Sequence, residues 1–138
     1  MYQTGIQQAL NQYHNAGPLA EVSEADPHRL VQMLFEGALD RLAVARGAML
    51  QGNTAVKGER ISRAIGIIDG LRAHLDMEQG GELAANLESL YEYMERRLVE
   101  ANLHDDVRML DEVTNLLREV KSGWDALPQQ KPVAAAQG

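Results

Sequence analysis

Apolar residues recur along most of this chain at intervals of three and four, the period of a helix with one face turned away from water. The spacing predicts a first long helix from Asp26-Pro27 to about Leu50. Asp26 has the side chain of an N-cap, Pro27 suits the first helical position, and Gln51-Gly52-Asn53 forms a stop. Leu30, Val31, Leu34, Phe35, Ala38, Leu42, Ala45 and Met49 make a broad apolar arc on it, and Met33, Leu39, Ala43 and Val44 fall outside that arc. A second helix is expected from about Thr54 to Met77, with Ile61, Ala64, Ile65, Ile68, Leu71 and Leu75 on one face. Gly58, Ser62, Gly66, Asp69, Gly70 and Ala73 gather on the opposite face as a surface of mostly small residues. Gly80-Gly81 then breaks the pattern and ends that helix. A third helix, about Glu82 to Asn102, aligns Leu83, Leu87, Leu90, Tyr91, Met94, Leu98 and Ala101. A fourth, about Asp105 to Leu127, aligns Leu110, Val113, Leu116, Leu117, Val120 and Trp124.

Short links between long helices force neighbours to run antiparallel, so the expected fold is an all-α, up-down-up-down four-helix bundle over residues 26–127. An arm, residues 1–25, precedes it. Ile6, Leu10 and Tyr13 stand there at i, i+4 and i+7, the spacing of a short amphipathic helix. Residues 128–138 form a Pro/Gln/Ala tail without aromatic or long aliphatic anchors, expected to be disordered.

Composition narrows the function by exclusion. The net charge of −7, from 20 acidic against 13 basic residues, argues against a nucleic-acid partner, since Arg96-Arg97 is the sole adjacent basic pair. Cysteine is absent, which removes disulfides and thiolate chemistry. No run of apolar residues is long enough for membrane insertion, and no secretory signal opens the chain, so the cytoplasm is the expected location. None of His14, His28, His74 and His104 stands three residues after a glutamate, so the Glu-x-x-His pairs of a di-iron bundle are missing, and no metal or other cofactor is expected. Gly80-Gly81 lacks the Lys-Ser/Thr of a phosphate loop, and no serine sits in a nucleophile elbow, so an enzyme is disfavoured.

Apolar surface is what remains. Each interior helix glycine costs about 1 kcal/mol relative to alanine, so Gly58, Gly66 and Gly70 together cost about 3 kcal/mol. A partner backbone lying close against that face would offset this; a helix that is simply weak is the other reading. The methionines serve either as adaptable groove or as core filler. Tyr91 and Tyr93, two residues apart, cannot both face the same core.

Three stretches carry a resemblance. The run from Asp26 to Leu39, including Phe35-Glu36-Gly37, looks like the opening helix of the FliS family of flagellin export chaperones. Leu75 to Leu83, with Asn86-Leu87, Leu90-Tyr91 and Tyr93-Met94, resembles its central helical hairpin. Ala101-Asn102 and the acidic helix ending near Trp124 resemble its last part. The family often has Ser-Pro where this chain has Asp26-Pro27, and Tyr-Asp-Gly where it has Phe35-Glu36-Gly37.

The resemblance implies that apolar grooves on the bundle take the C-terminal segment of flagellin, prevent its premature polymerisation, and help deliver it to the flagellar type III export gate. Met33, Phe35, Gly37, Gly66, Gly70, Met77, Tyr91, Tyr93 and Met94 are the candidate groove residues. Ile6, Leu10 and Tyr13 would form a cap over the empty groove. The free protein is expected to be a monomer or a weak homodimer. The competing readings are a general helical adaptor or dimerisation protein and a cofactor-binding bundle.

Overall fold

The computed structural model describes residues 26–128, and four helices account for most of them. Helix α1 spans Pro27–Gln51, α2 Thr54–Ala73, α3 Gly81–His104 and α4 Val107–Ala126. The Asp26 carboxylate accepts the Arg29 backbone N–H at 2.8 Å, and Pro27 fills the first helical position, so α1 begins where its capping chemistry places it.

Two residues suffice for each of two reversals. Gly52, at φ 75°, ends α1 in the left-handed conformation, and Asn53 both donates its N–H to the Ala48 carbonyl and caps α2 by accepting the Val56 N–H. Asp105, at φ 51°, ends α3 in the same way, and Asp106 caps α4 through the Arg108 N–H.

Polar ties between helix ends show the antiparallel order. The start of α1 meets the end of α4 through Gln32 and Asp125, and the end of α1 meets the start of α4 through Arg46 and Asp111. Lys57 at the start of α2 donates to the Asn102 carbonyl at the end of α3, while Arg72 at the end of α2 pairs with Glu88 near the start of α3. Each helix thus packs on its two sequence neighbours, α4 returns to α1, and the α1–α2 contact is the most extensive. The described residues form an all-α, up-down-up-down four-helix bundle.

Phe35 and Leu42 from α1, Ile61 and Ile68 from α2, Met94 and Leu98 from α3, and Leu110, Val113 and Leu117 from α4 are fully buried at the centre. Among the described residues, no helix is long and apolar enough to cross a membrane.

The second helix is shorter than its apolar spacing predicts. It stops at Ala73 rather than Met77, because the backbone tightens through His74 and Leu75, and the Asp76 carboxylate accepts the Gln79 N–H, a local bond that competes with helical pairing. Gly80 and Gly81 therefore do not end α2. They open α3 instead, with Gly80 at its N-cap and Gly81 at φ 55°. A Cβ on Gly80 would lie 2.6 Å from the Ala84 Cβ and 2.7 Å from the Asp76 carbonyl, so close approach demands glycine there, whereas at Gly81 the positive φ does. The arm's Ile6, Leu10 and Tyr13, and the tail beyond Pro128, lie outside the described residues.

Candidate functional site

The apolar stripes of α3 and α4 are covered over only part of their length. In α3, Tyr91, Met94, Leu98 and Ala101 are buried, but Leu87 and Leu90 are only partly so and Leu83 is 67 % exposed. In α4, Leu110, Val113 and Leu117 are buried, whereas Val120 and Trp124 are half-buried and Leu127, just past the helix, is exposed. Both stripes lose cover at the same end of the bundle, because α3 starts there and α4 finishes there.

An open cleft of about 560 Å³ occupies that place. Leu83, Ala84, Leu87 and Tyr91 of α3 make one wall, and Val120, Gly123 and Trp124 of α4, with Leu127, make the other. Val31 and Phe35 from the start of α1 and Leu71 from the end of α2 form the floor. Leu75, Asp76 and Gly80 close one side from the α2–α3 connection. Leu83 to Tyr91 spans about 12 Å of α3 at 1.5 Å per residue, enough to cradle roughly two turns of a further helix.

Trp124 is the chain's single tryptophan, and its placement is fixed from the opposite terminus of the bundle. Its indole N–H donates to the His28 carbonyl at 3.0 Å, His28 Nε2–H donates to the Trp124 carbonyl at 2.9 Å, and the two rings stack with centroids 5.0 Å apart. The Trp124 carbonyl can only accept, which requires the proton on His28 Nε2. This clasp joins the first turn of α1 to the last turn of α4 beside the cleft, so the cleft wall is held by two hydrogen bonds and a ring stack.

Charge around the cleft is mostly internally matched. Arg72 binds Glu88 through two nitrogens and reaches Glu95 at 3.3 Å, which holds the Glu88 carboxyl below its ordinary range. Glu95 behaves differently. Burial, with a smaller contribution from Asp69, raises its carboxyl to about 7, and its Oε2 atom is buried without a partner. Burial pushes the Tyr91 hydroxyl up to about 12, so it stays protonated, and desolvation lowers the His74 imidazole, favouring its neutral form. Among the described residues, no group of three or more His, Asp or Glu side chains is placed to hold a metal ion.

The structure brings two of the sequence-derived groove residues into the cleft, Phe35 in its floor and Tyr91 in its wall. Met33, Gly37, Gly70 and Met94 are buried, Gly66 faces open space, and Met77 is 51 % exposed in the α2–α3 connection. Tyr93 turns to the α3–α4 interface, where its hydroxyl donates to Glu112 at 2.5 Å and the guanidinium groups of Arg96 and Arg97 lie over its ring. The reading of residue types passed over Leu83, Leu87, Val120, Trp124 and Leu127 as site residues. Their signal was available: each stands toward the end of an apolar stripe, and an up-down topology collects those ends at one pole.

Comparison with known proteins supplies an independent observation. The family profile described as flagellar protein FliS matches residues 9–131. The chain is 58 % identical to the flagellar secretion chaperone FliSB of Pseudomonas aeruginosa over 119 residues, covering 86 % of this chain and 94 % of that protein. It is 44 % identical to the flagellar secretion chaperone FliS of Vibrio cholerae, covering 88 % of this chain and 90 % of that one. It is 50 % identical to the FliS of Salmonella typhimurium, covering 75 % and 77 %.

Proposed function

This chain belongs to the FliS family, and from that premise we propose that it is a cytoplasmic flagellar secretion chaperone, not an enzyme, whose cleft binds the C-terminal segment of flagellin. The observation that carries this reading is the open apolar cleft between α3 and α4. A groove walled by Leu83, Leu87, Val120 and Trp124 suits the apolar face of a helix that folds as it docks. The ordering cost of such a ligand keeps the complex releasable, as a delivery chaperone requires. Holding the segment away from other flagellin subunits prevents premature polymerisation, and release at the flagellar type III export gate completes the task.

The arm is assigned the complementary role. Asp26, to which the arm is joined, lies five residues before Val31 of the cleft floor. Ile6, Leu10 and Tyr13 offer an apolar stripe that covers the empty cleft and yields to the ligand. Met33, Gly37, Gly70, Met77, Tyr93 and Met94 then act outside the cleft walls, as support for the bundle and its rim. Gly66, with no neighbour within 4 Å of a built Cβ, remains available to a second part of the ligand.

The test is a titration with the flagellin C-terminal segment, followed through Trp124 emission and peptide-amide NMR. The expected outcome is saturable binding at micromolar concentration, with the largest amide shifts at Leu83, Leu87, Val120 and Trp124. Binding that leaves these residues unmoved would refute the cleft as the site. A homodimer that forms without the segment and ignores it would favour the adaptor reading.

A further inference from the structure

The interior of the cleft is apolar, but its edge is acidic. The carboxylates lining it belong to Asp76 and Glu119, and the exposed Glu78 and Glu82 follow Asp76 closely in the chain, in the connection and the first turn of α3. Among the described residues, none of these four takes part in an ion pair.

The cations that could neutralise them are engaged or turned away. Arg72 is held by Glu88 and Glu95, Lys121 by Asp125, and Arg29 by Glu36. Arg118 precedes Val120 by two positions, so at about 100° per residue it projects to the far side of α4. His74 is kept toward its neutral form by desolvation. Among the described residues, no lysine or arginine lines the cleft beside these carboxylates.

Resting on the cleft as the binding site, we propose that it selects an amphipathic helical segment carrying Lys or Arg beside its apolar stripe. Docking an apolar face strips water from the rim carboxylates, and a neutral or acidic segment leaves that loss uncompensated. A segment with flanking cations replaces the lost hydration by ion pairs and gains in association rate from the attraction. The chain's own arm lacks this chemistry: residues 1–25 contain no lysine or arginine and carry Glu21 and Glu24. The arm can match the cleft's interior but not its edge. A basic amphipathic ligand matches both, which gives it a salt-sensitive advantage over the arm.

The experiment titrates the full-length protein with three synthetic amphipathic helices that share one leucine stripe and carry Lys, Gln or Glu at the flanking positions. Trp124 emission reports occupancy. Measurements are made at about 20 mM and about 500 mM salt, between which the screening length falls from roughly 20 Å to roughly 4 Å. At low salt the Lys peptide should bind about tenfold more tightly than the Glu peptide, and the difference should collapse at high salt.

In a D76N/E119Q variant the Lys peptide should weaken about fivefold more than the Gln peptide at low salt, so that the ranking of the three peptides narrows. The D76N side chain keeps an amide oxygen to accept the Gln79 N–H, so the turn is preserved. Equal affinity for the three peptides, or a ranking that survives the double variant, overturns the charge selection. If the flagellin segment still binds in that case, the proposed function stands and only this inference falls. No Trp124 response to any of the three peptides overturns this inference, and the titration with the flagellin segment then decides the proposed function by itself. A peptide of residues 1–25 that competes as well as the Lys peptide at low salt would assign the cleft to the chain's own arm and overturn the selection for basic ligands.

Discussion

Replacing Gly80 with alanine places a Cβ 2.6 Å from the Ala84 Cβ and 2.7 Å from the Asp76 carbonyl oxygen. Neither neighbour is the free end of a long side chain. Ala84 is buried in the first turns of α3, and the Asp76 carbonyl already accepts the Gly80 N–H at 2.7 Å. Relief therefore requires moving backbone, and overpacking of this kind costs about 1–3 kcal/mol. Gly66→Ala is the matched control. It lies within α2, nothing stands within 4 Å of its built Cβ, and its φ is not positive, so the same substitution should stabilise by about 1 kcal/mol through helix propensity. In a domain of this size, 1 kcal/mol shifts Tm by about 4–8 °C, so the two variants should move in opposite directions and differ by roughly 10 °C or more. Urea denaturation at constant m separates them cleanly. Because Gly80 lines the cleft, its alanine variant should also bind the flagellin segment more weakly, whereas Gly66→Ala should do so only if the ligand reaches that face. A Gly80→Ala protein as stable as the parent would refute the close approach of Asp76, Gly80 and Ala84, and a destabilised Gly66→Ala would refute the open surface of α2.

Four further outcomes are expected. Because the Glu95 carboxyl is raised to about 7 in the folded state, above its ordinary value, its contribution to stability is fully present at pH below about 4.5 and lost as pH rises through 7. Glu95→Gln should therefore remove about 1–2 kcal/mol of declining stability between pH 5 and 8, read by urea unfolding across that window; an unchanged slope refutes the assignment. His28→Ala deletes the ring stack and the hydrogen bond to the Trp124 carbonyl, and should cost about 1–2 kcal/mol and shift Trp124 emission to the red; unaltered emission would mean the clasp does not hold the indole. Lys57→Met leaves the Asn102 carbonyl without its donor and should cost about 1–3 kcal/mol in chemical denaturation. Deleting residues 1–15 should leave helical circular dichroism intact and raise binding of an apolar dye; a molten product would contradict the arm as a removable cover.

Helix boundaries were legible in the sequence wherever a local group decides them. Asp26-Pro27 and Gly52-Asn53 act on their own backbone neighbours, so their residue types suffice, whereas Asp105, expected to open the fourth helix, instead closes α3 in a left-handed conformation that residue type does not announce. The Asp76 turn was missed because its bond to the Gln79 N–H competes with a helical pattern that apolar spacing alone would continue to Met77. The four apolar stripes, and hence the bundle, follow from the same local periodicity, and the family was recognisable from the order of its motifs.

Which parts of those stripes stay uncovered is not a local matter. Leu98 and Leu83 occupy equivalent places on one stripe, yet one is sealed by neighbouring helices and the other is exposed, because burial depends on where α2 and α4 end relative to α3. The same holds for the clasp between His28 and Trp124, 96 positions apart, and for Lys57, a residue that usually lies in water but is here buried across the end of α3. The period of a helix is written residue by residue, whereas the cleft exists only once four helix ends are brought to one pole.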